Sequence, residues 1–386
     1  MHELRSPADL LRALRSTPEL LKTVLASKLD ELALQKQLRQ EYPDDLVRLA
    51  VSLCELRERA TVKFERAHQM WFDRVGLEQA TSELVARHKA ARFTGHVDDL
   101  CCGIGGDAIA LADQYHVTAF DSREEACVMT EWNAEVYSVD DRVRTVVADV
   151  EQNSGNAPLV HIDPDRRTGA RRSIRIEDYC PSLVFLHSQI DRRAGGAIKL
   201  SPASNFGGKF PGCEVELISL HGECKEATVW FGSLAGEAKW RATVLPSGET
   251  LAADPMSARP RLLPLAQFVY DPDPAVVRAG LIDVLANTLN VGRLDAEEEY
   301  LTSESPVVSP FVQAFEVLAE LPHNDKQIRR YFRETNFGQV EIKTRHVRID
   351  ADTVRRKLPL NGNEAGVLIF ARIAGKTRAV VCRRWR

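Results

Sequence analysis

The chain has 386 residues, 44% of them hydrophobic, which suits about two to three packed domains. Its net charge of −4 excludes a molecule that is basic throughout and grips nucleic acid over its whole surface. No apolar run approaches the ~18 residues of a membrane span, and the N-terminus lacks an uninterrupted apolar leader. The eight cysteines form no Cys-x-x-Cys pair and no zinc spacing. Free thiols suit a reducing compartment, so the expectation is a cytoplasmic protein that holds no metal and contacts no membrane.

Residues 1–90 read as a helical N-terminal subdomain. Leu10, Leu11, Leu14, Leu20, Leu21, Val24, Leu25, Leu29, Leu32 and Leu34 recur at helical spacing. Pro43 starts a further helix that turns Leu46, Leu49, Val51, Leu53 and Leu56 inward.

Residues 91–250 change rhythm. Strands are predicted near 97–101, 116–121, 143–148, 159–163 and 196–200, with helices near 107–114, 123–138 and 179–191. That alternation is the βαβ pattern of an α/β, doubly wound sheet. Ala227–Phe231 and Trp240–Leu245 look like a closing antiparallel hairpin. The first strand runs into a glycine-rich turn, Asp99-Leu100-Cys101-Cys102-Gly103-Ile104-Gly105-Gly106-Asp107, and an apolar helix follows. Glycines there let backbone approach a ligand beside a helix N-terminus. Taken alone, Gly103-x-Gly105-x-x-Ala108 also fits the dinucleotide fingerprint.

Residues 251–299 read as a proline-rich linker followed by a helix over 275–289. Residues 300–386 form a smaller α+β unit. It has a basic helix at Ile328–Phe332, a short helix at Thr353–Leu358, and strands at Val340–Lys343, His346–Ile349, Gly366–Ile373 and Ala379–Cys382. Charge concentrates here: His323 to Arg386 holds sixteen Lys/Arg against six Asp/Glu, so the rest of the chain is acidic.

Four strands end at or near a carboxylate: Asp99, Asp121, Asp149 and Asp163. Strand-end Asp residues are common turn formers and caps, but four after successive strands favour a ligand. Such a ring repels a pyrophosphate, which argues against an NAD-dependent enzyme. It suits S-adenosylmethionine, which carries a sulfonium and an α-ammonium.

The glycine turn resembles the first motif of class I S-adenosylmethionine-dependent methyltransferases. The stretch from Asp99 to Asp163 is most similar to the trimethylguanosine synthase-like branch, and Trp132-Asn133-Ala134-Glu135-Val136-Tyr137 resembles its Asn-Ala-x-x-Tyr-Gly segment. The last unit resembles a THUMP-like domain at Tyr300-Leu301-Thr302-Ser303, Arg329-Arg330-Tyr331-Phe332, Gly338–Lys343 and Arg355–Leu358. The likeness covers most of the chain beyond residue 60. It implies a doubly wound, seven-stranded, Rossmann-like methyltransferase sheet, an N-terminal helical subdomain and a small C-terminal α+β domain. THUMP domains bind RNA, so RNA is the implied partner.

With S-adenosylmethionine as cofactor, Gly103 and Gly105 clear space for its methionine part and Cys101 lines the same loop. Asp99 faces the ammonium, Asp121 accepts both ribose hydroxyls, and Asp149 accepts from the adenine amine. Asp163-Pro164 stands where amino-methyltransferases carry Asp/Asn/Ser-Pro-Pro and an aromatic. There a side-chain oxygen and the next carbonyl accept the hydrogens of a target amine and free its lone pair. This chain departs from that pattern with Asp165 and Arg166. Arg166 can stack on a base and Arg167 can pair with phosphate. Lys199, after the fifth strand, either touches substrate or pairs with Asp163. By resemblance, Trp71, Phe72 and Thr81 belong to a segment that closes over the site, although Trp71 and Phe72 equally suit a core staple. The leading expectation is a methyltransferase acting on an exocyclic amine of an RNA base. A catalytically silent RNA-binding scaffold and a methyltransferase for a protein or small molecule are the alternatives.

Overall fold

The computed structural model describes residues 6–168 and 171–385, with the backbone alone at Arg167, Thr168, Arg171 and Arg172. Its contacts divide it into two units, Met1–Cys213 with Thr228–Gly236, and Glu214–Ala227 with Glu237–Arg386.

The first unit opens with six helices: α1 (Pro7–Arg15), α2 (Pro18–Ala26), α3 (Glu31–Leu38), α4 (Asp44–Ala60), α5 (Arg74–Gln79) and α6 (Glu83–Ala90). Local signals start them. Ser6, Asp30 and Asp73 accept backbone N–H groups as N-caps, and Pro7 and Pro18 occupy first positions where no amide is needed. The apolar stripe of α4 anchors the cluster, burying Leu46, Val47, Ala50, Leu53 and Leu56 against Leu14, Leu20, Leu34 and Leu38. Arg57 is buried there too, and Nε donates to the Met70 carbonyl at 2.8 Å.

The α/β part follows as β1 (Val97–Leu100), α7 (Gly106–Ala112), β2 (Val117–Asp121), α8 (Glu124–Tyr137), β3 (Val143–Val147) and β4 (Leu159–Ile162). After these come a short hairpin of β5 (Arg167–Thr168) and β6 (Arg171–Arg172), then α9 (Leu183–Arg192) and β7 (Gly195–Leu200). β1 lies parallel between β2 and β4, β3 extends the β2 side and β7 extends the β4 side. Strand order therefore reverses between β1 and β4, and the crevice at such a switch point is where open α/β sheets bind ligands.

The same sheet continues with β8 (Glu214–Leu220), β9 (Glu223–Gly232), β10 (Trp240–Leu245) and β11 (Glu249–Ala253), in the order β11-β10-β8-β9-β7-β4-β1-β2-β3. The expected doubly wound sheet of seven strands is thus present, and β10 and β11 extend it to nine. The closing hairpin differs from expectation. It is β8 and β9 that fold back on one another through His221–Gly222, both at positive φ, the geometry of a tight hairpin turn. β10 pairs parallel with β8 and is no neighbour of β9. Glu214 and Glu216 hide β8 in the sequence: they look solvent-facing, yet Arg241 of β10 binds Glu214 and Thr243 binds Glu216, each two positions before its own register partner.

The second unit carries a seven-stranded sheet. The segment expected as linker supplies β12 (Phe268–Pro272), α10 (Pro274–Arg278), α11 (Ile282–Leu289) and β13 (Gly292–Arg293); Gly280, at φ +70°, interrupts what reads as one helix. Then come β14 (Leu301–Ser303), β15 (Val312–Pro322), α12 (Asp325–Arg333), β16 (Phe337–Thr344), α13 (Ala351–Lys357), β17 (Glu364–Ile373) and β18 (Lys376–Arg384), in the order β13-β14-β12-β15-β18-β17-β16. His346–Ile349 is not a strand, and β15 is one that the sequence reading missed. β17 shows why both faces are covered: Val367, Ile369 and Ala371 enter one core, Leu368 and Phe370 the other with Ile328 and Phe332 of α12. Among the described residues no helix is long and apolar enough to cross a membrane.

Candidate active site

The glycine turn is held open from behind. Cys101, Gly103 and Gly105 all have positive φ, at 63°, 58° and 85°. A Cβ on Gly103 would meet nothing within 4 Å, whereas one on Gly105 would sit 2.9 Å from Thr130 Cγ2. Gly103 thus faces free space, and Gly105 serves the packing of α7 on α8. Asp121 Oδ2 accepts the Gly103 N–H and Oδ1 accepts that of Arg123, both at 3.0 Å, which leaves lone pairs for a ligand. Asn133 braces the far side, donating to the Ile104 and Trp71 carbonyls and accepting the Trp71 N–H at 2.7 Å.

Beneath the turn lies a buried polar cluster. Successive residues of β1 point to opposite faces. Asp98 pairs with Arg193 at 2.9 Å on one face. On the other, Asp99 stands in register beside His161 of β4, and His161 Nδ1 lies 2.7 Å from its Oδ1. His161 Nε2 is 3.3 Å from Lys89 Nζ, Lys89 pairs with Asp107 at 2.8 Å, and the Thr81 hydroxyl donates to Asp107 at 2.6 Å. Lys89, His161 and Asp99 are each 1% exposed. Burial opposes ionisation of Asp107, but Lys89, His161 and Lys199 outweigh it and hold its carboxyl well below the usual range. Burial raises the Asp99 pKa, with only partial relief from His161. Asp99 Oδ2 is buried with no hydrogen-bond partner. The sequence reading missed Lys89 and His161; a lone histidine in a fully buried four-residue strand was their one signal.

The end of β4 forms the second part. Asp163 follows it, and Lys199 of β7 binds Oδ2 at 2.6 Å while also donating to the Gln79 carbonyl at 3.0 Å. The pairing alternative for Lys199 is thus the one formed. Burial raises the Asp163 pKa and Lys199 opposes that shift. Pro164 is buried. Asp165 accepts from Gln79 Nε2 at 2.8 Å and bridges by its backbone to Cys180, so it closes a loop base where a second proline was the family pattern. Arg166 is half-buried beside it, and the Arg167 side chain lies outside the described residues. Asp149 is exposed and caps its own turn through the Glu151 N–H at 3.0 Å. Trp71 and Phe72 do not join this group. Both are buried in the helical core, Trp71 against Trp132 and Phe72 against Phe64, because apolar rings gain more from that packing than from an edge facing water.

A doubly wound sheet with a glycine turn after its first strand and carboxylates at successive strand ends defines a class I methyltransferase domain. Residues 94–189 match the family described as RNA cap guanine-N2 methyltransferase, and residues 312–384 match the THUMP domain-like family. Uncharacterized S-adenosylmethionine-dependent methyltransferases from two strains of Mycobacterium tuberculosis are 34% identical over 330 residues, spanning 82% of this chain and 89% of theirs. A Porphyromonas gingivalis protein, crystallised as a candidate methyltransferase, shares the fold over 100% of both chains, with a TM-score of 0.80 at 17% identity. The chain belongs to the S-adenosylmethionine-dependent methyltransferase family and carries a C-terminal THUMP-like domain.

S-adenosylmethionine is therefore its cofactor, and the residues present suit it. The space before Gly103 admits a close ligand, the unsatisfied Asp99 oxygen favours a nearby cation, and Asp121 retains acceptor capacity for a diol. Bound, the cofactor supplies a methyl group activated by its sulfonium.

Proposed function

We propose that this enzyme methylates an exocyclic amine of an RNA base. The observation that carries the reading is Asp163: a carboxylate after β4, fixed by Lys199 through Oδ2, with Oδ1 unpartnered among the described residues. An exocyclic amine is a poor nucleophile because its lone pair is delocalised into the ring. Asp163 Oδ1 accepts one of its hydrogens and the backbone carbonyl beside it another, which localises the lone pair toward the methyl donor. Lys199 opposes the upward shift that burial imposes on this carboxylate and fixes its orientation. Asp99, Cys101, Gly103 and Gly105 shape the methionine end of the cofactor pocket, Asp121 takes the ribose hydroxyls, and Asp149 takes the adenine amine. Arg166 meets the substrate's base.

The basic C-terminal unit supports RNA as the substrate class, as do the two family matches. Eight unpaired cysteines favour a reducing cytoplasm as the place of action. The test compares modified nucleosides, by mass spectrometry, in RNA from cells with and without the gene, then offers the deletion RNA to the pure protein with labelled cofactor. One methylated nucleoside should vanish and be restored. If label enters only a protein or small-molecule fraction, the substrate reading falls.

A further inference from the structure

Counted over the described side chains named below, the ionisable groups under the glycine turn balance in charge only when they hold one extra proton. Lys89 on α6 and Lys199 on β7 are cations. Asp99 on β1, Asp107 on α7 and Asp163 after β4 are carboxylates, and His161 of β4 stands among them. With His161 neutral the set carries one net negative charge, which is costly in a buried place. A proton on His161, flanked by Asp99 at 2.7 Å and Asp107 at 3.8 Å, restores neutrality. Burial and Lys89 oppose that proton, but the two carboxylates prevail and raise the imidazole above its ordinary value of 6.5. Burial, with Asp121, Asp163 and Asp99 nearby, keeps the Cys101 thiol protonated.

The deprotonated state is equally well built. Nδ1–H then donates to Asp99, and Nε2 accepts from Lys89 Nζ at 3.3 Å. What it lacks is one positive charge, and Asp99 Oδ2 is left without a hydrogen-bond partner. S-adenosylmethionine carries a sulfonium, an ammonium and a carboxylate, one net positive charge. S-adenosylhomocysteine has lost the sulfonium and is neutral overall.

We propose that the Asp99–His161 pair gives up one proton to solvent when the cationic cofactor binds and regains it once the methyl group has left. The site thereby tells cofactor from product by its own protonation. Below the free-state pKa of the pair, affinity for S-adenosylmethionine rises with pH, while affinity for the product does not.

Calorimetry of the full chain, in buffers of different ionisation enthalpy, counts the protons. The window is about pH 5.5 to 7, below the range of about 7.7–8.0 in which α-amines titrate. About one proton should leave per S-adenosylmethionine bound and close to none per S-adenosylhomocysteine, with Kd for the former falling by up to about tenfold per pH unit. His161→Asn should remove the difference, and His161→Gln serves if that variant does not fold. Equal proton release for both ligands, or none for either, overturns the proposal. So does a folded His161 variant that keeps the wild-type pH dependence.

Discussion

Asp121 uses one carboxylate for two tasks: it holds the Gly103 amide and, by our reading, the ribose diol. Asp121→Ala should weaken S-adenosylmethionine by about 2–3 kcal/mol, roughly 30- to 150-fold in Kd by calorimetry. A wild-type Kd would remove it from the pocket. By the function proposed above, Asp163 acts on the chemical step, because an amine that grows acidic during transfer binds its acceptor most strongly in the transition state. Asp163→Ala should lower kcat by ~10²-fold, and Asp163→Asn, which keeps an acceptor, by less. Since Ala also removes the Asp163 carboxylate from Lys199, the rates are compared at saturating cofactor; an unchanged kcat would exclude the role. His161 has a third signature. Its folded pKa is raised above 6.5, so its stabilisation is complete below 6.5 and is lost as pH rises through the folded value. The midpoint of urea unfolding of the cofactor-free protein should therefore fall as pH rises above 6.5, and His161→Asn should flatten that trend. The four strand-end carboxylates are legible in the sequence because strand, turn and Asp are contiguous. Lys89 and His161 are not, because the contact joins residues 72 apart and depends on strand register.

The two turn glycines separate packing from binding at the level of the β1–α7 element. Each holds a left-handed conformation that costs a Cβ-bearing residue ~1–2 kcal/mol. Gly105→Ala adds a clash with Thr130 on α8, so it should destabilise by ~2–4 kcal/mol in denaturant titration. Gly103→Ala adds no clash and should cost only the conformational part, yet weaken cofactor binding at least tenfold, because its Cβ enters the space assigned to the ligand. If Gly105→Ala is the variant that loses cofactor while remaining as stable as wild type, the two roles are reversed. Element legibility follows the same line between local and distant causes. β2 to β4 are mostly apolar and, like the Asp-bearing β1, bounded by turns, so their pattern announces them. β8 carries buried Glu214 and Glu216 whose partners on β10 lie 27 residues ahead, and no local pattern reports that. Trp71 reads equally as a ligand-facing aromatic and as a core staple until Asn133, 62 residues on, is seen to bond its backbone on both sides.

Over the whole molecule, charge is divided rather than balanced, and the basic share has a definite surface. On α12, Lys326, Arg329, Arg330 and Arg333 follow an i, i+3, i+4, i+7 spacing and are exposed, while Ile328 and Phe332 on the other side enter the core. Lys357 of α13 reaches Asp325 at 3.2 Å, which sets a second basic helix, with Arg355 and Arg356, beside the first. The Arg330–Glu334 pair is exposed and too weak to neutralise the stripe. If this face holds RNA phosphates, binding by the full chain should weaken steeply as salt rises from about 50 to 200 mM, through counterion release. Replacing Arg329 and Arg333 by Ala should lower the slope of log K against log salt by ~0.7 per lost single-strand phosphate contact. Stability should move by no more than ~0.5 kcal/mol per site, since neither guanidinium is buried. Filter binding of the deletion-strain RNA across that salt range reads the slope directly. A double variant with the wild-type slope would leave α12 as a solvated face, and the phosphate contacts would then have to come from the arginines that follow β4.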